Sequence, residues 1–408
     1  MDIFQGWNVV GKNVDFLTTK DYFENIKLAA KWKGTTLKYS NTYISNEYAI
    51  INMRSASTIN EYNYVISNTC KYVTFIGVRN KTYKMSIRVA TRNTALVLGL
   101  ENMEFKPSKA VTTGTTAIDA SSNFTLYLSY KGVCKIYGGD GSDGSTAVKS
   151  TQATDNKSGE NGKNGGNGYS GGIGIKANSL IIQDYNKEAY LFVYGGTGGV
   201  GGTGQAGQDG SNGVNAPSGW FWHPVKGDDG ANGGVGGTGG RGGDGGAAVT
   251  VSSNTSLKVA YNAQYHFKGG TGGAGGQGGD GGQGGKGASD ESGSPFSGVG
   301  DPGNGGTGGN GGIGGAGGAG VSATNALYVY GFGGAGGEGG KGGNAGLGGQ
   351  GGSAGQSGSN GSYGSSGSNG NKGSSGNAGG NGYNTTGDYK AVKVVSYMYR
   401  RDFEQSYF

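Results

Sequence analysis

From Gly331 to Gly382 every third residue is glycine without a gap, and five upstream stretches keep the same period. Those stretches cover 159–174, 195–213, 227–245, 269–287 and 300–318. A period of three is neither the 3.6 of an α-helix nor the 2 of a strand. It is the period of an extended, left-handed, polyproline-II-type helix, which rises about 3.1 Å per residue and forms no internal hydrogen bonds. The typical triplet is Gly-Gly-X, so two of the three rows along such a helix carry no side chain and can lie against neighbours. Its N–H and C=O groups must then find partners outside the segment. One glycine helix alone cannot offset the cost of ordering it, about 1–2 kcal/mol per residue. The pattern therefore predicts a lattice of antiparallel polyglycine-II helices, with X residues such as Thr271, Ala274, Gln277, Asp280, Gln283 and Lys286 on its outer faces.

Composition excludes the other glycine-rich classes. With 96 glycines but five prolines in 408 residues, and runs that stop after a few turns, the chain is not collagen. The 25 tyrosines and 13 phenylalanines, set in apolar runs, argue against a solvated linker. A net charge of +6 is mild, and the 33 basic residues are scattered, so nucleic acid is not an expected partner. No apolar run is long enough to insert in a bilayer. Cys70 and Cys134 are too few for a disulfide framework and sit in alternating segments, as buried thiols do. The start, Met1 to Trp7, has no charged-then-apolar leader, which favours synthesis in a cytosol or a leader already removed.

The fold class expected is all-β with virtually no α-helix. Residues 1–42 read as a cap, with a short amphipathic helix over Thr19–Trp32 that turns Phe23, Ile26, Leu28 and Ala30 inward. Residues 43–137 read as a β-solenoid, because short alternating runs at 72–78, 85–89, 94–100 and 124–130 recur at strand spacing. An internal repeat favours a solenoid over a sandwich. Ala117–Gly139 aligns without a gap onto Ala248–Gly270, matching Ser121, Ser122, Asn123, Leu126 and Tyr130 to Ser252, Ser253, Asn254, Leu257 and Tyr261. Gly174–Gly196 is a looser copy and Gly320–Gly334 a shortened one. Each copy ends in an apolar strand and Gly-Gly, where a glycine run begins. Residues 138–387 thus read as glycine segments interleaved with β rungs, and 388–408 as a final strand and tail. Runs leave the rungs, reverse in glycine-poor inserts at 145–158, 214–226, 288–299 and 356–372, and return, which puts all inserts at one far end.

Those inserts hold the candidate binding residues. The second reads VNAPSGWFWHPVK and carries Trp220, Phe221, Trp222 and His223 between Pro217 and Pro224. Rigid aromatic residues on a proline-stiffened loop give large contact area at low entropic cost. The third carries Asp290, Glu291 and Phe296, and the fourth Tyr363. No catalytic residue, cofactor site or metal site is nominated. Asp119 with Arg88 or Arg92 reads as too dispersed for polysaccharide cleavage. Gly138–Asp143 approaches a calcium β-roll repeat, but Ser145 takes its apolar position and the unit does not recur. Enzyme chemistry is not expected.

Glycine-rich runs alternating with loop-forming inserts over about Gly138–Gly382 resemble the tip adhesins of long tail fibres in T-even-like bacteriophages. That resemblance implies a polyglycine-II sandwich whose distal loops contact a host receptor. The strands at 43–137 and between the glycine runs are instead similar to glycine-rich β-solenoid domains of bacterial cell-surface proteins. The functional expectation is a non-enzymatic adhesin, on a virion or a cell surface, that binds a glycan or an outer-membrane protein. A fibre or a second copy would attach through the N-terminal solenoid. The alternatives are a self-assembling surface or filament protein, and an ice-binding protein. The last needs unbroken rows of small residues, which Thr197, Thr203, Thr238, Thr271 and Thr307 suggest and Arg241, Asp244, Asp280, Lys286, Glu338 and Lys341 interrupt.

Overall fold

The structure, a computed structural model, describes residues 2–9, 28–34, 39–148, 157–184, 189–214, 228–252, 257–259, 263–287, 304–323 and 371. Among these residues there is no α-helix. Near the N-terminus Asp2–Val9 pairs antiparallel with Leu28–Gly34. This corrects the expected helix over Thr19–Trp32: from Leu28 onward it is strand, and its first part lies outside the described residues. The extended Ile3–Val9 stretch offers a backbone partner that local helical periodicity cannot reveal.

All other strand pairs among the described residues are parallel, and they stack into three columns. In the first, Tyr64 pairs with Ile87, Ile87 with Ile118, Ile118 with Ile175, Ile175 with Val249, and Val249 with Val321. In the second, Ala49, Val73, Leu98, Leu128, Ile182 and Val259 succeed one another in the same way. In the third, the succession is Tyr83, Phe105, Ile136, Val193 and Phe267. All five side chains of that third row are fully buried. Alternation places every second residue inward, so each new strand lays an apolar side chain on the one beneath it. The copies seen in the sequence are successive turns of these columns: Leu126 pairs with Leu180, and Leu180 with Leu257.

The apolar core ends where the glycine runs begin. No buried core residue falls within 138–174, 195–247 or 268–320 among the described residues. There the backbone bonds to itself. Successive outgoing segments run parallel: Gly195, Gly198, Gly201, Gly204, Gly207, Gly210 and Gly213 donate to the carbonyls of Lys268, Thr271, Ala274, Gln277, Asp280, Gln283 and Lys286 at 2.8–2.9 Å. Returning segments do the same among themselves, as from Gly162, Gly165 and Gly168 to Val235, Thr238 and Arg241. The second glycine of each pair donates to the opposite set, which runs antiparallel: Gly246 to Gly196, Gly270 to Gly246, Gly318 to Gly270. Glycine is required here for closeness, not for unusual torsion. Gly132 is the one described glycine with a positive φ, and it lies among the strands. A Cβ placed on Gly239 would run into the carbonyl oxygen of Gly276, nearer than real Cβ contacts come.

The X residues point outward as expected; Thr271, Gln277, Asp280, Gln283 and Lys286 are exposed and Ala274 is half-buried. Their backbone N–H groups find a less expected partner. At ten described positions where X on one segment is Asn or Asp, its side-chain oxygen accepts the N–H of the facing X on the next segment. Asn161, Asn164 and Asn167 hold Val235, Thr238 and Arg241 respectively in this way, each at 2.9 Å. Because the following glycine donates to the carbonyl of that same facing residue, each Asx-Gly pair grips both of its backbone groups. Asp140, Asp143, Asp209, Asn212, Asn232, Asp244 and Asn310 repeat this two-point clamp.

Candidate functional site

The end of the glycine segments remote from the columns is where the inserts leave and re-enter. On the column side, Gly138 donates to the carbonyl of Tyr194, and Gly195 to that of Lys268. At the other end, the returning side of the gap 149–156 and both sides of the gaps 215–227 and 288–303 are bonded to one another. Ser211 donates to the carbonyl of Lys157 at 3.2 Å, Asp228 to Val214 at 3.0 Å, and Gly213 to Lys286 at 2.8 Å. Ala231 joins Ser211 at 2.9 Å, Gly285 joins Ala231 at 2.7 Å, and Gly233 joins Asn304 at 2.8 Å. The returning end of the first insert and both ends of the next two therefore meet in one patch. The register follows from the sequence itself, since each outgoing triplet is matched by a returning triplet bonded across from it.

This patch has a repair built into it. Among the described residues, the first outgoing segment is bonded to the second as far as Ala147, which donates to Thr203. Beyond that point the returning residues Lys163 and Glu160 keep inward N–H groups. Gln205 and Gln208, at positions that are glycine elsewhere, turn their side-chain oxygens to accept those groups at 3.0 and 3.1 Å. Ser211 accepts the N–H of Lys157 at 2.8 Å. The sequence carried a signal for this that periodicity alone passes over: at 205, 208 and 211 one glycine of each pair is lost while the other persists.

The candidate contact residues themselves lie outside the described residues. Trp220, Phe221, Trp222 and His223 fall in 215–227, Asp290, Glu291 and Phe296 in 288–303, and Tyr363 in 324–370. Of the reversal expected over 356–372, Asn371 alone lies among the described residues. It donates to the Asn310 side chain and accepts from Gly311, both at 2.9 Å.

Elsewhere, Arg88 and Asp119, read as dispersed, are register neighbours on adjacent turns. A separation in sequence equal to one turn brings residues side by side. Arg92 is buried and ties one corner together, donating to Ser67, Thr94 and Ala95 and lying over the Phe124 ring. Asp140 and Asp143, taken from the calcium-like motif, bind Lys106 and Lys109 at 2.7 and 2.9 Å. Burial pushes the Asp140 carboxyl up, but hydrogen bonds from Lys106 and Thr197 outweigh it and hold the group below its ordinary value. Asp143 is lowered chiefly by Lys109. Among the described residues, no three His, Cys, Asp or Glu side chains gather as metal ligands.

The outward face of the third column is aromatic. Tyr137 stacks on Tyr194 at 4.8 Å and 11°, and Phe192 lies parallel to Tyr194 at 6.4 Å and 4°. His266 contacts both Phe192 and Tyr194 at 6.0 Å. The Tyr194 ring is thus engaged by its neighbours on three sides.

No family model matches the chain, and no curated protein matches it. Among solved structures the chain is similar to the springtail antifreeze protein from Granisotoma rainieri, a bundle of nine polyproline type II helices. The identity is 22%, over 57% of this chain and 94% of that one, at a TM-score of 0.11, too low to carry an argument.

Proposed function

We propose that the chain is a non-enzymatic adhesin. Its three columns act as the faces of a β-solenoid. Its glycine segments act as polyglycine-II helices, a stiff double-layered spacer that presents the inserts to a receptor. One observation carries this reading: residues bounding both ends of two inserts and the returning end of a third are hydrogen-bonded into a single patch at the end farthest from the columns. A protein that spends two glycines per triplet to carry three inserts to one place gains nothing unless they act together. The insert with Trp220 and Trp222 supplies the contact surface suited to stacking on a glycan or packing on an outer-membrane protein. The setting is the tip of a phage fibre or a cell surface. Ice binding is set aside, because Arg241, Asp244 and Lys286 break the outer rows.

The test is a Trp220→Ala, Trp222→Ala double variant compared with the parent for binding to cells that the parent decorates. Binding should fall at least tenfold, about 1.4 kcal/mol, with melting unchanged. Undiminished binding by a folded variant would remove this insert as the contact site.

A further inference from the structure

An Asn-Gly pair in an unfolded polypeptide has a built-in reaction. The glycine backbone nitrogen attacks the asparagine Cγ, and a ring C–N bond forms. The bond from Cγ to the carboxamide Nδ2 breaks, and that nitrogen leaves as ammonia with the proton lost by the glycine. Water then opens the succinimide to aspartate or isoaspartate. Glycine is the fastest neighbour because no side chain shields its nitrogen. Seven such pairs occur among the described glycine segments. Six of them, beginning at Asn161, Asn164, Asn167, Asn212, Asn232 and Asn310, form the clamp described above.

At each of these six both reacting groups are occupied. Asn161 Oδ1 accepts the Val235 N–H at 2.9 Å, while Gly162 N–H donates to the Val235 carbonyl at 2.8 Å. Asn212 and Gly213 hold Lys286 at 2.9 and 2.8 Å, and Asn232 and Gly233 hold Asn304 at 2.8 Å for both bonds. The nucleophile's proton is bonded away from the electrophile, and the carboxamide is pinned toward the next segment instead of folded back on its own backbone. Both bonds must open before ring closure can begin. We propose that the Asx-Gly clamp protects these six sites from deamidation. A side chain that would make the polymer perishable thus becomes one of its fastenings. Aspartate serves equally at Asp140, Asp143, Asp209 and Asp244 because an acceptor oxygen is all that is needed.

Two hydrogen bonds of ordinary net strength slow an opening-limited reaction by roughly 5- to 150-fold. The experiment ages the full-length protein in mildly alkaline buffer, natively and in guanidinium, and maps isoaspartate at each site by mass spectrometry. All six sites should react within that range more slowly in the native protein, and equal rates overturn the proposal. A second measurement separates the clamp from general protection by folding. Val235→Pro deletes the N–H that Asn161 accepts, keeps the carbonyl that Gly162 uses, and suits the extended torsion. Asn161 should then deamidate several-fold faster, while Asn164 and Asn167 on the same segment keep their parental rates. An unchanged Asn161 in the folded variant also overturns the proposal, and if that variant does not fold, the native-against-guanidinium comparison still decides.

Discussion

Gly239 and Gly278 show what a single missing methyl group does here. A Cβ on Gly239 would meet the carbonyl oxygen of Gly276, and one on Gly278 that of Gly309; both are backbone atoms of the opposite set and cannot rotate aside. Two hydrogen-bonded segments would have to separate. The expected loss for Gly239→Val or Gly278→Val is about 1–3 kcal/mol at least, the range of an overpacked core. A urea titration checks it. A parental midpoint in both variants would mean that these segments do not pack as described. Thr238 beside Gly239 is the contrast: its side chain is exposed, and its backbone is held by Asn164 and Gly165 whatever it carries.

At the scale of elements, the stretch 106–115, which lies alongside the first glycine run, is fastened to it by charge. Lys106 and Lys109 reach Asp140 and Asp143, whose carboxyls lie below their ordinary values in the folded protein. A lowered carboxylate adds stability above its unfolded value, near pH 3.9, and loses it as pH falls through the folded value. Urea midpoints should therefore drop from about pH 5 to about pH 2, and more steeply in the parent than in Asp140→Asn, Asp143→Asn. The variant keeps the acceptor oxygens for Thr197 and Val200 but loses the charge. Identical slopes would mean that the pairs are solvent-screened and inert. Much of this level was legible in the sequence. The strand expected at 124–130 lies within Ile118–Lys131, and the repeat register linking Leu126 to Leu257 is the register of the columns. The strand at Leu28–Gly34 was not, because its partner is remote in sequence. Nor were the clamp and the Gln205 and Gln208 substitutes: they satisfy backbone groups of another segment, and a period read along one segment has no term for that.

At the scale of the whole molecule, two kinds of cohesion meet. The columns bury side chains such as Leu180 and Ile182 completely, whereas the described glycine segments contribute no apolar core. Ordering costs there, about 1–2 kcal/mol per residue, are nearly matched by hydrogen bonds worth about 0.5–1.5 each. The glycine part should therefore depend on the columns, and the columns not on it. The two free thiols report on this. Burial pushes Cys70 up to about 11 and Cys134 up to about 12, so neither should react with a thiol reagent at about pH 8 in the native protein. Leu180→Ala, costing about 2–5 kcal/mol, should expose both thiols and unravel the glycine part together. Gly278→Val should disturb the glycine part and leave both thiols hidden. Thiol exposure in Gly278→Val would show that the dependence runs both ways.

Because an Asx-Gly pair seizes only main-chain atoms of its opposite number, the residue it seizes is free to be anything but proline. Valine, threonine, arginine, glutamine, lysine and alanine all occupy that seat. The exposed face is therefore a blank page ruled at fixed intervals. Its lettering can be rewritten, for charge, solubility or a new contact, without loosening the binding.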